Sequence, residues 1–230
     1  ISDACGGTTL EFRTRITGAS QAPASDWSGW MPSNSPEQAF NAGHHEIEWR
    51  VISGSGTATC SYSLEVRDEQ PPTALCQNIT VQLDANGNGS TTAAAVVNGS
   101  NDACGVASLS LSQTAFGCAE AGANAETLTV TDVNGNVSTC STTITVEDNV
   151  APTALCLNTT VNLEPNGTYA LKPTDVYNAG ASSDNCGIAS VSFPPASFTC
   201  DQAGAAFPIT VTVEDFSGNT DQCIAMVSVE

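Results

Sequence analysis

The chain has 230 residues and a formal net charge of −19, from 24 acidic and 5 basic side chains. Like charges repel, so nucleic acid and anionic membrane surfaces are not expected as partners, whereas cations and basic surfaces are favoured. The sequence contains no apolar run long enough to span a bilayer, so direct membrane insertion is not expected. The length fits two or three domains.

Ten cysteines recur in register along the chain, with no Cys-x-x-Cys pair and only two histidines. This composition favours disulfide bonds formed in an oxidising compartment over zinc binding. The protein is therefore predicted to be secreted, extracellular or displayed at a cell surface.

The first predicted domain, residues 1–68, opens with an Asp-x-Cys-Gly box at residues 3–6 and closes with Cys60 and an alternating strand. Both features return in the two later domains, where further strands precede the box. Residues 1–68 are therefore predicted to form a divergent or incomplete β-sandwich that lacks its first strands. Three interpretations stay open: the strands lie upstream in a longer precursor, the domain is a complete but different sandwich, or it accepts a strand from a neighbouring molecule. The last of these predicts head-to-tail polymerisation.

The three tryptophans, Trp27, Trp30 and Trp49, all lie in this first domain. Flat indole rings stack on sugar faces, so these residues are candidates for glycan binding. The alternative is that Trp27 and Trp30 fill the core of a domain short of strands, while Trp49 points inward from its own strand. The adjacent His44 and His45 would point to opposite faces of a strand and have no partners for a catalytic triad, so catalysis is not expected there.

Residues 69–148 and 149–230 are two copies of one unit, because Pro-Thr-Ala-Leu-Cys at 72–76 returns 80 residues later at 152–156. Each copy continues with an Asp-x-Cys-Gly box, a cysteine before Ala-Gly, and a strand that ends in a Gly-Asn turn. Apolar and polar residues alternate with period two, and Asn-Gly and Gly-Asn pairs supply tight turns. The predicted fold is all-β: tandem immunoglobulin-like antiparallel β-sandwiches with almost no helix.

Acidic residues precede proline at both boundaries between the domains, which resembles the calcium-binding linkers of cadherins. In a sandwich array these acids would face the Asp-x-Cys-Gly loop and the Gly-Asn turn of the next domain, and Ca²⁺ takes about six to eight oxygen ligands. The candidate ligands are Asp68 and Glu69 with Asp102 and Asp132, and Glu147 and Asp148 with Asp184 and Asp215. The alternative is a solvated linker that proline stiffens. Residues 84–89 look like the start of an EF-type loop, but the twelfth position is Ala95, so a turn is favoured.

Two connectivities of the cysteines stay open. The first domain holds only Cys5 and Cys60, so if disulfides are lost as pairs, these two bond to each other. The same logic then gives Cys76–Cys118, Cys104–Cys140, Cys156–Cys200 and Cys186–Cys223. The rival scheme joins the first and last strands of each full unit, as Cys76–Cys140 and Cys156–Cys223, and leaves Cys104–Cys118 and Cys186–Cys200.

The combined landmarks resemble hyalin repeats, which are immunoglobulin-like modules of secreted multi-repeat proteins. The matching residues are Pro-Pro-Thr-Ala-Leu-Cys at 71–76, the Asp-x-Cys-Gly box, the strand and turn at 129–140, and Glu-Asp-Asn-x-x-Pro at 147–152. The amino-acid sequence of residues 84–89 is similar to that of repeats in long cell-surface proteins of Bacteroidota. The resemblance implies adhesion or structure, with no catalytic residues to carry over. It also implies a disulfide between the first and last cysteines of a repeat.

Together these observations predict a non-catalytic extracellular structural protein, a subunit or segment of a surface stalk or filament. Its expected partners are further copies of itself or neighbouring repeats, and strand donation to the incomplete first domain is one route to head-to-tail polymers. The alternative function is that of an adhesin or carbohydrate-binding module acting through the tryptophan-rich first domain. An enzyme is not expected.

Overall fold

The computed structural model describes residues 9–18, 28–32 and 40–230. The chain folds into two compact units. The first comprises Ile1–Cys76, Val97–Ser110 and Thr127–Cys140, and the second comprises Gln77–Val96, Leu111–Glu126 and Ser141–Glu230. The domain boundaries expected from the sequence stay a prediction. We use them as names: the N-terminal module (1–68), the middle module (69–148) and the C-terminal module (149–230).

The described residues of the N-terminal module form one antiparallel sheet with the strand order β2-β1-β3-β4. Its strands are β1 (Thr9–Gly18), β2 (Met31–Pro32), β3 (Gly43–Ser53) and β4 (Gly56–Val66). Because side chains alternate along a strand, one face carries Phe12 and Ile47, which are buried. The opposite face carries arginine–glutamate pairs between strands, such as Arg13 with Glu48. The sheet is therefore apolar on one side and charged on the other.

The middle module combines a four-stranded sheet, ordered β5-β10-β9-β7, with a two-stranded sheet of β6 and β8. Its elements are β5 (Ile79–Gln82), β6 (Asn88–Ser90), α1 (Ala93–Val96), β7 (Val106–Leu111), β8 (Ala115–Gly117), a 3₁₀ turn (Cys118–Glu120), β9 (Gly122–Asp132) and β10 (Val137–Glu147). The division between the two compact units runs across β7, β9 and β10.

The C-terminal module repeats this arrangement, with a sheet ordered β11-β16-β15-β13 and a second sheet of β12 and β14. Its elements are β11 (Thr159–Val161), β12 (Thr168–Ala170), α2 (Pro173–Val176), β13 (Ile188–Ser192), β14 (Ser197–Thr199), a 3₁₀ turn (Cys200–Gln202), β15 (Ala206–Asp215) and β16 (Thr220–Val229). In both modules, the first strand of the larger sheet runs parallel to the last one. In the C-terminal module, the other pairs of this sheet are antiparallel.

The core of the C-terminal module lies between its two sheets. Alternate residues of β15 and β16 are fully buried, and Phe198 from β14 packs against them. The cluster consists of Val161, Leu171, Val176, Phe198, Val211, Ala225, Val227 and Val229. Valine dominates because a β-branched side chain packs well on a pleated surface. The period-two pattern of the sequence thus becomes the inner face of a sandwich.

The predicted fold class is confirmed: the described residues are all-β, and the middle and C-terminal modules are tandem immunoglobulin-like sandwiches. Among the described residues, neither α-helix exceeds four residues. No helix in the described part of the chain is long and apolar enough to cross a membrane.

Candidate metal centres at the module junctions

Three aspartates meet where the middle module leads into the C-terminal module. Asp148 follows β10, Asp184 precedes β13, and Asp215 is the last residue of β15. One carboxylate oxygen from each lies within 4.8 Å of the others. The linker, the Asp-x-Cys-Gly loop and the Gly-Asn turn therefore converge at this junction.

The Gly-Asn turn after β15 fixes Asp215 and the linker together. Asp215 Oδ1 accepts hydrogen bonds from the backbone N–H groups of Ser217 and Asn219, both at 2.8 Å. The side-chain amide of Asn219 donates to Asp215 Oδ2 at 2.8 Å and to the backbone carbonyl of Asp148 at 2.9 Å. The recurring Asp-x-x-Gly-Asn sequence is thus a clamp that holds the linker against the turn.

The Asp-x-Cys-Gly loop holds the second carboxylate in a similar way. Asp184 Oδ2 accepts hydrogen bonds from the backbone N–H groups of Cys186 and Gly187, both at 2.8 Å. The side-chain amide of Asn185 donates to Asp148 Oδ1 at 3.0 Å. In Asp148 and Asp184, one oxygen of the carboxylate is therefore occupied by protein donors, and the other is left to face the cluster.

The remaining oxygens of this cluster are buried and have no hydrogen-bond partner. They are Asp148 Oδ2 and Asp184 Oδ1, and the amide oxygen of Asn185, whose nitrogen donates to Asp148, is also buried without a partner. Asp148 is only 4% exposed, so water does not solvate its charge freely. A buried, unpaired carboxylate is costly, and several in one place also repel each other. A bound cation removes both penalties, and an all-oxygen set suits a hard cation such as Ca²⁺.

The junction that leads into the middle module repeats this arrangement with one change. Ligand atoms of Asp68, Asp102 and Cys104 lie within 4.8 Å of one another. Asp102 Oδ1 accepts hydrogen bonds from the backbone N–H groups of Cys104 at 2.7 Å and Gly105 at 3.1 Å. Asp68 Oδ2 is buried without a hydrogen-bond partner, as is Asp148 Oδ2 at the other junction. Here the sulfur of Cys104 lies beside the two carboxylates.

Asp132 occupies the turn position that Asp215 has in the C-terminal module. Its carboxylate accepts hydrogen bonds from the backbone N–H groups of Asn134 and Asn136, both at 2.8 Å. Burial alone would raise the pKa of Asp132, but the donors on Asn136 and Asn134 outweigh burial and hold the pKa below its usual value. The Asn136 amide also donates to the Asp68 carbonyl at 3.1 Å. Asp132 is therefore an ionised clamp for the linker.

Three predicted ligands, Glu69, Glu147 and Asp132, lie outside both clusters. Glu69 and Glu147 are exposed, and Glu147 accepts a hydrogen bond from the side-chain amide of Gln82 at 2.7 Å. Neighbouring residues of an extended chain point to opposite sides, so one linker acid turns in while the adjacent one turns out. Asp132 also lies outside the three-residue group formed by Asp68, Asp102 and Cys104.

Two members of the clusters were not predicted as ligands. Cys104 was assigned only to a disulfide, and Asn185 is the variable position of the Asp-x-Cys-Gly box. An oxygen-bearing residue at that position is the signal that would have indicated a further ligand, because the side chain of Asn185 hydrogen-bonds to Asp148 and carries a buried amide oxygen without a hydrogen-bond partner. The first junction has Ala103 at this position.

Six of the ten cysteines form three disulfides in the described residues. Cys76–Cys140 and Cys156–Cys223 join the start of each full module to its last strand. This is the rival pairing, which the hyalin-repeat resemblance also implied. Cys118–Cys186 is a bridge that neither scheme contained. The predicted pairs Cys76–Cys118, Cys104–Cys140, Cys156–Cys200, Cys186–Cys223, Cys104–Cys118 and Cys186–Cys200 are therefore wrong.

The physical reason lies in the position of Cys118. It begins the 3₁₀ turn after β8, where its Sγ lies 3.5 Å from the backbone carbonyl oxygen of Asn185. It is therefore adjacent to the Asp-x-Cys-Gly loop of the next module. Cys60 and Cys200 are exposed and lie outside the three bridges, and the predicted bonds of Cys200 to Cys156 or Cys186 are wrong because both partners are bonded elsewhere. Cys5 lies outside the described residues, so its predicted bond to Cys60 stays a prediction.

The structure does not bring the described tryptophans together. Trp49 packs on Phe12, with ring centroids 5.1 Å apart, on the apolar face of the N-terminal sheet. Trp30 lies on the opposite, charged face, where the guanidinium groups of Arg13 and Arg50 stand 4.7 and 4.0 Å from its ring centroid. Trp30 thus stacks on cations and neither fills the core nor extends the Trp49 surface. Trp27 lies outside the described residues.

The two histidines have ordinary structural environments. His45 is 3% exposed, and its Nε2 lies 2.8 Å from the backbone carbonyl oxygen of Asn41. His44 is on the other face of β3, with Nε2 3.9 Å from a carboxylate oxygen of Glu65. They point in opposite directions, as predicted.

No family model and no curated protein matches the chain. Solved structures with similarity include the protocadherin γB4 extracellular domain, at 16% identity over 97% of this chain and 43% of that one, with a TM-score of 0.34. Human CDH23 EC21–23 is similar at 13% identity over 95% of this chain and 88% of that one, with a TM-score of 0.36. Titin domains I67–I69 are similar at 10% identity over 82% and 75%, with a TM-score of 0.35. This chain thus spans less than half the length of the protocadherin, and similarities at this level show no family.

Proposed function

We propose that this chain is a non-catalytic, extracellular structural segment of a surface stalk or filament, in which calcium ions stiffen the junctions between modules. The observation that carries the proposal is the buried, unpartnered carboxylate oxygen of Asp148 beside the carboxylates of Asp184 and Asp215. The carboxylates gather at junctions that repeat along the chain, which favours a mechanical role over a catalytic one. The resemblance to bacterial hyalin repeats supports the same function.

The two junctions differ in the ligands that they offer. The second junction supplies three carboxylates, an all-oxygen set that suits Ca²⁺. The first supplies the carboxylates of Asp68 and Asp102 together with the sulfur of Cys104, and sulfur is a poor ligand for a hard cation. The second junction is therefore the tighter calcium site.

Calcium binding at these positions would stabilise the folded chain by mass action. A ligand that binds only the folded state, at about 100 times its dissociation constant, contributes about 2.7 kcal/mol. The unfolded chain has no comparable site, because the ligands come from three separate segments. Calcium would also hold each linker against the loop and turn that follow it.

The proposal is tested by thermal unfolding in calcium and in a chelator, together with calorimetric titration of Ca²⁺. Calcium should raise the melting temperature and bind with measurable heat. Asp148→Asn and Asp184→Asn should abolish the tighter binding event, because each removes a charge from the cluster. Glu147→Gln is the matched control, since it removes an exposed charge beside Asp148 and should change neither quantity.

An unchanged melting temperature between calcium and chelator would contradict the calcium assignment. Equal losses in Asp148→Asn and Glu147→Gln would also contradict it, because they would show a diffuse effect of net charge. Magnesium serves as the control cation, since it demands a smaller and more regular set of ligands.

Polymerisation by strand donation is supported by the edge of the N-terminal sheet. In the full modules, β10 and β16 each carry a parallel strand, β5 or β11, and each holds a cysteine bonded to the segment before that strand. β4 is the equivalent strand in the N-terminal module, with Cys60 in the place of Cys140 and Cys223. Among the described residues, β4 stands at the edge of its sheet. An added strand with its own cysteine would complete both features.

A synthetic peptide with the sequence of residues 73–82 tests this edge, because it carries the strand and the cysteine of a full module. With the chain in a glutathione redox buffer, it should form a disulfide with Cys60 and slow hydrogen exchange along β4. A peptide with serine at the cysteine position is the control. Strand addition would be contradicted if the peptide formed disulfides with Cys60 and Cys200 to equal extents and hydrogen exchange along β4 did not change. Electron microscopy of the chain alone then shows whether filaments form.

The carbohydrate-binding alternative stays a prediction. Trp30 and Trp49 lie on opposite faces of the N-terminal sheet, so a glycan surface would use only one of them. Screening the chain against a glycan array, with Trp49→Ala as the variant, tests it directly.

A further inference from the structure

Cys118 and Cys186 show how one module of this kind is bonded to the next. Cys118 starts the 3₁₀ turn that follows β8, and it bonds to the cysteine of the Asp184–Gly187 loop with Cα atoms 5.3 Å apart. A second contact supports the bridge: the side-chain amide of Asn185 donates to the backbone carbonyl of Asp84 at 3.1 Å. The bridge and the hydrogen bond together dock an Asp-x-Cys-Gly loop on the turn that precedes β6.

The C-terminal module builds the same surface a second time. Thr168 pairs with Thr199 in the β12–β14 sheet, as Asn88 pairs with Gly117 in the β6–β8 sheet. The 3₁₀ turn that starts at Cys200 is closed by Gln202, whose side-chain oxygen accepts a hydrogen bond from the Thr199 N–H at 2.9 Å. Glu120 closes the Cys118 turn in the same way, at 2.7 Å from the Gly117 nitrogen.

The glycine beside each cysteine matches as well. Gly87 and Gly167 both have positive φ, at 74° and 79°. The Sγ atom of Cys118 lies 3.8 Å from the carbonyl oxygen of Gly87, and the Sγ atom of Cys200 lies 3.6 Å from the carbonyl oxygen of Gly167. A Cβ on Gly167 would approach the Cys200 sulfur to 3.1 Å, so glycine leaves room for the cysteine. The position of Cys200 is therefore set by the same turn that sets Cys118.

The two surfaces differ in occupancy. Cys118 is partly buried and bonded to the neighbouring loop, whereas Cys200 is exposed and bonded to no other cysteine in the described part of the chain. In the Glu164–Gly167 turn, the backbone carbonyl of Glu164 accepts a hydrogen bond from the Gly167 N–H at 2.8 Å. In the Asp84–Gly87 turn, the backbone carbonyl of Asp84 accepts one from the Gly87 N–H at 2.9 Å. Asp84 accepts an incoming amide in addition, so Glu164 offers the equivalent acceptor.

We propose that Cys200 and the Glu164–Gly167 turn form a docking site for the Asp-x-Cys-Gly loop of a further module of this type, which becomes linked through a disulfide to Cys200. This inference rests on the proposed array function and adds to it a covalent mode of linkage. The partner is recognised by a thiol that follows an aspartate by two positions and precedes a glycine. Any hydrogen-bonding side chain between them, such as the amide in the position of Asn185, can reach the Glu164 carbonyl.

The chemistry needs an oxidant, and a small disulfide such as oxidised glutathione supplies it. The Cys200 thiolate attacks one glutathione sulfur, which forms a mixed disulfide and releases one glutathione thiolate. The thiolate of the partner loop then attacks the Cys200 sulfur of this mixed disulfide and releases the second glutathione. Two protein thiols are thus oxidised to one disulfide, while one oxidised glutathione is reduced to two thiols.

The first arm of the test supplies the loop from a second copy of the chain, which has three Asp-x-Cys-Gly boxes, one of them already bonded through Cys186. Two differently tagged copies are mixed in a glutathione redox buffer and analysed on non-reducing gels, with peptide mapping of the linked bands. The second arm appends another copy of residues 149–230 after Glu230. Linked chains in the first arm, or an internal bond in the second, should join Cys200 to the cysteine of an Asp-x-Cys-Gly box. The two arms separate a partner molecule from a following repeat as the source of the loop.

Cys200→Ser should lose the linked species in both arms, and Cys60→Ser should retain them. Cys200 that stays reduced or carries only glutathione in both arms would overturn the inference. Bonding of Cys200 to Cys60 as often as to box cysteines would overturn it too, because it would show unselective oxidation of exposed thiols. Cys200→Ser should leave the calcium-dependent melting unchanged, so failure of this linkage is distinguishable from failure of the calcium-stiffened array.

Discussion

The N-terminal and C-terminal modules start from the same alternating pattern but bury it differently. In the C-terminal module, alternate residues of β15 and β16 are fully buried under a second sheet that contributes Phe198. In the N-terminal module, the described residues supply one sheet, and its apolar face still exposes 50% of Tyr62 and 38% of Leu10. Alternation decides which face of a sheet is apolar. It does not provide the second layer that removes that face from water.

The two modules also differ in their cross-links. The C-terminal sandwich is closed by Cys156–Cys223, while Cys60, which occupies the equivalent strand position in the N-terminal module, is exposed and bonded to no described cysteine. The N-terminal sheet instead carries a row of ion pairs between its strands: Arg13–Glu48, Arg15–Glu46 and Arg50–Glu11. Such partly exposed ion pairs contribute less to stability than a closed loop and a filled core. The C-terminal module should therefore be the more stable of the two.

The largest effect should come from opening the Cys156–Cys223 bridge. It closes a loop across 67 residues, and by chain entropy a loop of that length contributes about 4 kcal/mol. The double variant Cys156→Ser/Cys223→Ser should lower the unfolding free energy of the C-terminal module by about that amount. Urea unfolding followed by hydrogen exchange in β15 and β16 measures it. Tryptophan fluorescence serves as an internal reference, since all three tryptophans lie in residues 1–68.

Cys60→Ser is the matched control for this prediction. It replaces a thiol at the equivalent strand position in the N-terminal module, where no closed loop depends on it within the described residues. It should leave both the fluorescence and the exchange midpoints unchanged. If the double variant unfolds at the same urea concentration as the unmodified chain, the bridge is not the cause of the difference in stability between the two modules.

Much of this architecture could be predicted from the sequence, because strand alternation and repeated turn motifs are local signals. The clustering of Asp148, Asp184 and Asp215 followed from the order of the landmarks in a sandwich. The sequence could not show which of the two adjacent linker acids points inward. Glu147 and Asp148 both carry carboxylates, and only the backbone conformation at the end of β10 decides that Asp148 is buried and Glu147 exposed. That direction depends on hydrogen bonds from Asn185 and Asn219, which come from distant segments.

The bridge between Cys118 and Cys186 was missed because both pairing schemes treated each repeat as closed. The signal was present in the incomplete first module. It retains only Cys5 and Cys60, which match Cys186 and Cys223. In the C-terminal module the partners of those two cysteines lie earlier in the chain, at Cys118 and Cys156. The stacking of Trp30 on two arginines was also beyond sequence periodicity, because it joins the segment before a two-residue strand to two other strands.

The second prediction compares one aromatic residue from each module. Phe198 is 3% exposed and packs on Phe207 with ring centroids 5.5 Å apart. Phe198→Ala should cost about 3 kcal/mol, because it removes buried surface and leaves a cavity. Tyr62→Ala should cost about 0.5 kcal/mol, because half of the side chain already contacts water. Chemical denaturation of the two variants checks the contrast, and equal costs would show that a further layer covers the N-terminal sheet.

The third prediction concerns the acid side of the stability profile. Burial opposes ionisation of Asp132, but donors on Asn136 and Asn134 lower its pKa in the folded state. Its contribution is therefore fully present above the unfolded pKa of about 3.9 and is lost as the pH falls through the lower, folded value. Asp132→Asn should flatten the loss of stability on acidification below about pH 4. Denaturation midpoints measured across that range test it.

Glu65 in the N-terminal module is the control for this pH effect. A hydrogen bond from Arg67 also lowers the pKa of Glu65, but this pair is exposed. Water and salt screen it, so Glu65→Gln should leave the acid limb of the profile unchanged. If Glu65→Gln flattens the profile as much as Asp132→Asn, the general negative charge of the chain and not the linker clamp controls acid unfolding.

The smallest effect should come from the charged face of the N-terminal sheet. The guanidinium groups of Arg13 and Arg50 stand over the Trp30 ring, and both arginines also pair with glutamates of the facing strand. Trp30→Ala should destabilise this module by about 1 kcal/mol, the range of a partly exposed cation–π contact. Trp30→Phe should recover part of that loss, since phenylalanine retains a weaker π-face. Urea unfolding followed by the remaining tryptophan fluorescence measures both variants, at low and high salt.

A loss of stability as large as that of Phe198→Ala, independent of salt, would mean that Trp30 is a core residue. The charged face would then be the inner layer of a second sandwich, and the contrast between the two modules would disappear.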